Sequence, residues 1–439
     1  MTGRRLDVHL HGSRVATLEA GDSRSGYRLV YDDEWRSYEA AAPVSLSLPL
    51  TTATHTGAHV FDFVDNLLPD NPVVREEWAR ASSLPDADPA TLLSVHGADV
   101  AGALQFTRAG ESPRTHGSLA PETDESIARR IRSIRDGSPD PLANDSGPGR
   151  FSLGGAQAKF ALARAHDEWW DPSGATPSTH IFKPQVTRLE DGEIVEHLTM
   201  AAAQAAGIPS ATTEIAKFGE EVALQVERFD RADTPDGVVR LHQEDLLQAL
   251  GRPRLRKYES QGGPSAEQII RVLDRNRVDG DRVGSKTRFI QALLFSWIVL
   301  NTDGHAKNFS LYLFPGRSPL TPAYDVSSFL PYVGPSVASR DDLLRAMQDA
   351  RLSMRISASY RVGDMGAFEW GAIARTAAVS PADLLEWGIV VCEELPGVFA
   401  DLAADLDERF RTPVVELLLD RIELRARQAK KALARRVEI

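Results

Sequence analysis

The feature that most constrains the fold is an apolar stretch, residues 289–300, that runs directly into a polar segment, residues 301–308. The stretch is too short to span a bilayer and contains Gln291 and Ser296, so it predicts a helix buried in a globular core. The polar segment is rich in Asn, Asp and Gly, which favour tight turns. A buried helix that ends in a short polar loop is a rigid support for reactive side chains.

Within this loop, Asp303 and Asn308 have the Asp-x-x-x-x-Asn spacing of a kinase catalytic loop. Such chemistry needs one carboxylate at the attacking hydroxyl and one amide oxygen at a magnesium ion on the phosphates. Residues 309–314 and 320–324 predict a hairpin that returns Asp325 to the loop as a second metal ligand. Taken alone, the loop is also compatible with a simple helix-to-strand turn, and Asp325 with a helix N-cap.

Upstream signals follow in the chain order of a kinase. A glycine turn at residues 154–159 lies between two strand patterns, and its backbone N–H groups can cradle phosphates. Lys183 lies on a later strand and Glu196 on the next helix, like the kinase lysine that holds the α- and β-phosphates and the helix glutamate that pairs with it. Residues 226–231 form a strand into a connection where backbone groups can meet adenine. Each signal alone is more typical of a hairpin loop or a solvated strand end, but their shared order favours a kinase.

The chain has 439 residues, more than one ordinary core accommodates, so several subdomains are expected. The patterns predict an N-terminal subdomain at residues 1–110, a linker at 111–150, a β-rich lobe with the phosphate loop at 151–245 and a helical lobe with the catalytic loop at 246–439. The predicted fold class is α+β: a bilobal protein-kinase-like fold with an added small α/β N-terminal subdomain and a mostly α-helical C-terminal lobe.

The net charge and the cysteine content limit which partners and which cellular environment are expected. The net charge of −12 argues against a protein that grips nucleic acid by itself, although basic runs at residues 252–257 and 425–436 leave a contact with an acidic partner or DNA open. The single cysteine, Cys392, excludes an intramolecular disulfide and a cysteine-based zinc site. Because no long apolar run follows the basic N-terminus, we expect no signal peptide, no membrane contact and a cytoplasmic location.

Several motifs together resemble the HipA family of serine/threonine kinase toxins, over nearly the whole chain. In the N-terminal part they are LSLPL at 46–50, FVDNLLPD at 63–70 and GADVAGAL at 97–104. In the kinase part they are SLGGAQAK at 152–159, HIFKP at 180–184, ERFDR at 227–231, HQED at 242–245, TDGHAKNFS at 302–310 and AYD at 323–325. The segment 302–310 is the most specific of these motifs.

The resemblance implies that Asp303 is the catalytic base, that Asn308 and Asp325 hold Mg²⁺, and that Ser152 is autophosphorylated. Phosphorylation of that serine is expected to expel the phosphate loop and switch the kinase off. Glu196 and Gln243 are expected to support the site. The ATP-binding residues that the resemblance implies are Gly154, Gly155, Ala156, Gln157, Ala158, Lys159, Lys183, Glu227, Arg228, Phe229, His305, Ala306, Lys307, Asn308, Tyr324 and Asp325.

The activity that the resemblance implies is ATP- and Mg²⁺-dependent phosphorylation of a serine on a translation protein, with glutamyl-tRNA synthetase as the family's known target. That reaction would halt growth and favour persistence. The implied partner is a small helix-turn-helix antitoxin like HipB, through which the toxin would lie on operator DNA. Two alternatives stay open: a kinase of a lipid or small molecule, and a non-catalytic co-repressor. The intact Lys183, Asp303, Asn308 and Asp325 argue against the co-repressor.

Overall fold

The computed structural model describes residues 4–112, 117–136, 157–185, 189–275, 284–334 and 339–435. Packing divides the chain into two compact units. Unit 1 comprises Met1–Pro184, Ala216–Arg256 and Ser310–Ser318, and unit 2 comprises Gln185–Ile215, Lys257–Phe309 and Pro319–Ile439. Among the described residues, no helix combines the length and the apolarity needed to cross a bilayer.

Unit 1 contains two large antiparallel sheets and two short strand pairs. The five-stranded sheet has the order β4-β3-β2-β1-β5, the six-stranded sheet has the order β10-β11-β9-β7-β8-β6, and β12-β13 and β14-β15 pair separately. The strands are β1 (Arg4–Leu10), β2 (Ser13–Ala20), β3 (Arg28–Tyr31), β4 (Thr54–Thr56), β5 (Leu104–Arg108), β6 (Gly117–Pro121), β7 (Phe160–Ala165), β8 (Glu168–Gly174), β9 (His180–Pro184), β10 (Thr213–Phe218, which begins in unit 2), β11 (Glu221–Glu227), β12 (Arg231–Thr234), β13 (Gly237–Arg240), β14 (Gln243–Asp245) and β15 (Ser310–Tyr312).

Helices accompany these sheets in unit 1 and dominate unit 2. Those of unit 1 are α1 (Asp33–Ser37), α2 (Ala58–Asn66), α3 (Pro72–Ala81), α4 (Pro89–His96), α5 (Asp124–Arg135) and α7 (Leu246–Ala249). Those of unit 2 are α6 (Gly192–Ala205), α8 (Ala266–Arg275), α9 (Ser285–Ile298), α10 (Arg340–Asp349), α11 (Ala367–Thr376), α12 (Pro381–Asp405) and α13 (Pro413–Leu433), with the strand pair β16 (Arg351–Ile356) and β17 (Ser359–Arg361).

The six-stranded sheet places Lys183 by strand alternation. Phe160 of β7 and Phe182 of β9 stack with ring centroids 5.1 Å apart, in a core that Ile127 and Ile131 of α5 complete. Lys183 follows Phe182 on β9 and pairs with Leu224 of β11. Because successive side chains of a strand point to opposite faces, the lysine projects from the face that α5 does not cover.

Helix α9 is the buried helix that the apolar stretch predicts. Its aromatic residues Phe289, Phe295 and Trp297 are almost completely buried. Arg425 of α13 donates to the Trp297 carbonyl oxygen at 2.8 Å, and its guanidinium lies over the indole with 4.4 Å to the ring centroid. These contacts fix the end of α9, from which the predicted catalytic loop departs.

The turn of the predicted hairpin after the catalytic loop is present, since Phe314 and Arg317 exchange backbone hydrogen bonds of 3.0 and 3.2 Å, but its predicted strand pairing is wrong. Strand β15 pairs with β14 instead, and the described residues 320–324 form no strand. The reason is that Pro319 and Pro322 lack the N–H groups that a ladder requires. Ala323 exchanges hydrogen bonds of 2.8 Å with the 209–211 segment, and this contact directs the chain into Asp325.

Candidate active site

The C-terminus of α9 sets the direction of the predicted catalytic loop. The backbone N–H of Val299 still bonds to the Phe295 carbonyl, and then Leu300 adopts a left-handed conformation with φ of 57°. Such a conformation costs a branched residue roughly 1 kcal/mol or more, so the surroundings must hold it. Leu300 is fully buried, and the next residue, Asn301, bonds back to the Ser296 carbonyl at 2.7 Å.

Short-range hydrogen bonds shape the loop itself. The side-chain oxygen of Asn301 accepts from the Asp303 backbone N–H at 3.2 Å. The Asp303 carbonyl accepts from the His305 N–H at 2.8 Å, and the His305 carbonyl accepts from the Asn308 N–H at 2.9 Å. Consecutive turns of this kind hold the Asp-x-x-x-x-Asn spacing in one compact loop, as that spacing predicts.

The Asp303 carboxylate is exposed at the surface of unit 2 and is held by a tyrosine. Tyr258 donates its hydroxyl to Oδ1 of Asp303 at 2.7 Å. The Tyr258 ring meets His305 edge-on with centroids 5.1 Å apart, and Lys257 lies 5.3 Å above the same ring. Sequence reasoning missed Tyr258, and its separation from Asp303 along the chain left no spacing signal.

His305 lies beneath this group as a neutral imidazole. Burial lowers the pKa of His305 to about 4, although the nearby Asp303 carboxylate acts in the opposite direction. The Lys257 ammonium adds to the lowering of that pKa. At neutral pH His305 is therefore uncharged and contributes no positive charge beside Asp303.

Asn308 and Asp325, the predicted metal ligands, meet within unit 2. The Asn308 side chain donates through Nδ2 to the Asp325 backbone carbonyl at 3.2 Å, which leaves its amide oxygen as a ligand atom. Asp325 has a left-handed φ of 54°, and the Tyr324 hydroxyl bonds to the Lys307 carbonyl at 2.7 Å. An amide oxygen and a half-buried carboxylate, on two residues that contact each other, form a donor set that fits a hard divalent cation.

The predicted phosphate-binding residues of unit 1 are only partly described. Ser152, Gly154, Gly155 and Ala156 lie outside the described residues. Of the phosphate loop, Gln157, Ala158 and Lys159 are described, and the Gln157 side chain donates to the Pro184 carbonyl at 3.5 Å. This contact places the end of the glycine turn beside β9, which carries the buried Lys183. The predicted partner Glu196 is buried on α6 in unit 2.

The predicted adenine-binding segment follows β11. Glu227 is exposed at the strand end, and the Phe229 carbonyl accepts from the Tyr312 hydroxyl at 2.8 Å. Gln243 of β14 pairs with Tyr312 of β15, and its buried side-chain oxygen has no hydrogen-bond donor among the described residues. Gln243 therefore lies close to the segment it is predicted to support.

Arg228 is directed into the protein. Its guanidinium donates to Asp230 at 2.9 Å and to the Ser178 hydroxyl at 2.8 Å, and lies 3.5 Å from Asp99. Its backbone N–H bonds to the Thr179 carbonyl at 2.9 Å. The side chain of Arg228 thus fixes the strand end from inside, and this structural role of the residue was not predicted from the sequence.

Comparison with protein families identifies the chain. Residues 151–396 match the model described as the HipA-like C-terminal domain, and residues 6–107 match the HipA N-terminal domain. The first match alone covers more than half of the chain. The chain belongs to the HipA family.

Curated relatives agree with this membership. A Sinorhizobium fredii protein named "Putative kinase Y4mE" is 32% identical over 383 residues, covering 86% of this chain and 87% of its own length. The "Serine/threonine-protein kinase toxin HipA" of Shewanella oneidensis is 30% identical over 336 residues, covering 74% of this chain and 75% of its own length. The predicted enzyme class, a serine/threonine protein kinase, is confirmed by these relatives.

A solved structure confirms the predicted fold class. HipA from the Shewanella oneidensis complex of HipA, HipB and operator DNA superposes with a TM-score of 0.79 at 24% identity. The match covers 98% of this chain and 100% of that one. The residue roles assigned from the sequence stay predictions.

Proposed function

We propose that this HipA-family kinase uses ATP and Mg²⁺ to phosphorylate a serine and acts as the toxin of a toxin–antitoxin module. The observation that carries the proposal is that Asp303 and Asn308 share one loop after α9 and that Asn308 contacts Asp325. A tyrosine hydroxyl holds the Asp303 carboxylate, and the Asn308 amide is held on the Asp325 backbone. This is the arrangement that phosphoryl transfer needs: one base, and two oxygen ligands of different type.

In the proposed reaction, Asp303 accepts the proton of a serine hydroxyl. The serine oxygen bonds to the γ-phosphorus while the bond to the β-phosphate oxygen breaks, so that phosphoserine and ADP are formed. Asn308 and Asp325 would hold Mg²⁺, which supplies charge neutralisation at the phosphates when bound. Lys183, which sits on a strand and is almost fully buried, would bind the α- and β-phosphates.

Replacing Lys183 by Ala is expected to weaken ATP binding by about tenfold or more, because a desolvated charge contact to phosphate is lost. The measurement is isothermal calorimetry of ATP with the purified variant. Lys217→Ala, on the end of β10, is the control and is expected to leave the affinity unchanged. An unchanged affinity in Lys183→Ala would remove this lysine from the nucleotide site.

We propose a more specific cellular role from the resemblance to the HipA family. We infer a translation protein similar to glutamyl-tRNA synthetase as substrate, with growth arrest and persistence as the result. The partner would be a HipB-like antitoxin, and operator DNA would be reached mainly through that antitoxin. Support comes from the HipA toxin kinase among the relatives and from the family membership of both halves of the chain. The reaction would take place in the cytoplasm.

Autophosphorylation at Ser152 tests the proposed activity. Dephosphorylated protein incubated with ATP and Mg²⁺ is expected to gain one phosphate that maps to Ser152, and intact-mass spectrometry measures the gain. Ser152→Ala and wild type with EDTA are expected to gain none, because the acceptor or the metal is missing. If the wild type gains no phosphate, the proposed autophosphorylation is wrong. The chain would then be either a non-catalytic co-repressor or a kinase that acts only on its true substrate.

A further inference from the structure

The segment that contains Tyr258 and the catalytic loop are both hydrogen-bonded to strand β16. The neighbouring Glu259 accepts from the Arg355 backbone N–H at 2.7 Å and from its Nε at 2.8 Å. Ser353, two residues earlier on β16, donates its hydroxyl to the Thr302 carbonyl at 2.7 Å. Strand β16 thus holds the residue after Tyr258 and the residue before Asp303. Because both segments are bonded to β16, this strand fixes the positions of Tyr258 and Asp303 relative to each other.

The Asp303 carboxylate itself has few restraints. It is exposed, and among the described side chains Tyr258 alone donates a hydrogen bond to it. An exposed aspartate on a loop ordinarily samples several rotamers. A hydrogen bond to a charged carboxylate is among the stronger ones, so the Tyr258 hydroxyl restricts this freedom most.

We propose that Tyr258 is a positioning residue for the catalytic base. By holding Oδ1 of Asp303, it leaves Oδ2 as the atom that accepts the proton of the substrate hydroxyl. The inference rests on the proposed function of Asp303 and adds a second residue to the proton-accepting group. It also assigns the two carboxylate oxygens to different tasks, one structural and one chemical.

The surroundings of the tyrosine ring explain why a hydroxyl-bearing ring is placed here. The ring packs edge-on against the neutral His305 and beneath the Lys257 ammonium, and neither contact needs the hydroxyl. The hydroxyl donates the hydrogen bond to Asp303. A phenylalanine would keep the ring contacts, so the Tyr258→Phe variant isolates the hydrogen bond from the packing.

The test is the rate at which the chain phosphorylates itself, followed by intact-mass spectrometry over a range of ATP concentrations. Tyr258→Phe is expected to lower the maximal rate about tenfold, because a misaligned base lowers transition-state stabilisation. The ATP concentration at half-maximal rate and the thermal midpoint are expected to stay unchanged. A merely structural role would instead shift the thermal midpoint or the ATP dependence.

Tyr27→Phe is the matched control, since the Tyr27 hydroxyl also donates to an aspartate, Asp88, at 2.5 Å, within unit 1. Its maximal rate is expected to equal that of the wild type. A wild-type rate in Tyr258→Phe, with Asp303→Asn inactive, would overturn the inference and leave the proposed function standing. Transfer by Asp303→Asn at more than about a tenth of the wild-type rate would overturn the base assignment and the inference with it.

Discussion

Replacing Asp303 by Asn is expected to lower phosphoryl transfer by roughly 10²- to 10⁴-fold, the usual contribution of a positioned general base. The amide has almost the same shape but cannot accept the proton of the serine hydroxyl. Its side-chain oxygen still accepts from the Tyr258 hydroxyl, so the loop should keep its conformation. ATP affinity is therefore expected to stay within about twofold, since no base is needed to bind the nucleotide.

This separation of transfer from binding is what the experiment measures. Intact-mass spectrometry gives the rate of phosphate gain, and calorimetry gives ATP affinity on the same preparation. Asp401→Asn, which makes the same chemical change on an exposed position of α12, is the control and should behave like wild type. Transfer by Asp303→Asn at more than about a tenth of the wild-type rate would show that another group is the base.

The part of the site that the sequence predicts is the part whose geometry is local. Asp303 and Asn308 lie on one short loop, so their spacing in the sequence is enough to predict that they lie close together. Backbone hydrogen bonds within the loop then fix its conformation. The buried helix before them was predicted correctly because its apolar content is continuous. Asp325 returns to Asn308 as expected, although the second strand of the hairpin predicted for that return does not form.

What the sequence does not reveal depends on contacts between distant positions. Tyr258 and Asp303 are 45 residues apart, and no periodicity links them. Glu244 is 199 residues from Ser45, and its carboxyl group accepts a hydrogen bond of 2.5 Å from the Ser45 hydroxyl. Burial raises the pKa of the Glu244 carboxyl to about 8. Such pairs follow from the packing of whole elements, which a single sequence does not specify by local pattern.

Arg228 shows the same limit inside a recognised motif. Residues 227–229 of the motif ERFDR are predicted to bind the nucleotide, yet the guanidinium groups of Arg228 and Arg231 bind the buried Asp99. Arg240 also reaches Asp99, at 3.0 Å, and Asp230 pairs with Arg228. The motif therefore contains both predicted adenine-binding residues and part of an ionic cluster. This cluster links Asp99 to the end of β11, the start of β12 and the end of β13.

Replacing Asp99 by Ala is expected to destabilise unit 1 by about 3–5 kcal/mol, because three guanidinium groups would lose a buried counter-charge. Asp99 also accepts from the Ser178 hydroxyl at 2.6 Å and backbone N–H at 3.1 Å, so these buried donors would lose their partner as well. Differential scanning calorimetry should show the thermal midpoint lowered by about 10 °C. The Ala variant of Asp86, whose carboxylate pairs with Arg4 at the surface, is the control and should cost less than about 1 kcal/mol.

The pH dependence of stability gives an independent test of the Asp99 cluster. Burial alone would raise the pKa of Asp99, but Arg231, Arg228 and Arg240 hold that pKa below its usual range. An aspartate with a lowered folded-state pKa stabilises the fold above its unfolded pKa of about 4, and this stabilisation is lost as the pH falls further. The Ala variant should consequently differ most from wild type near neutral pH and approach it in acid. A difference between the two proteins that stays constant from pH 7 down to pH 3 would mean that the loss comes from packing and not from charge.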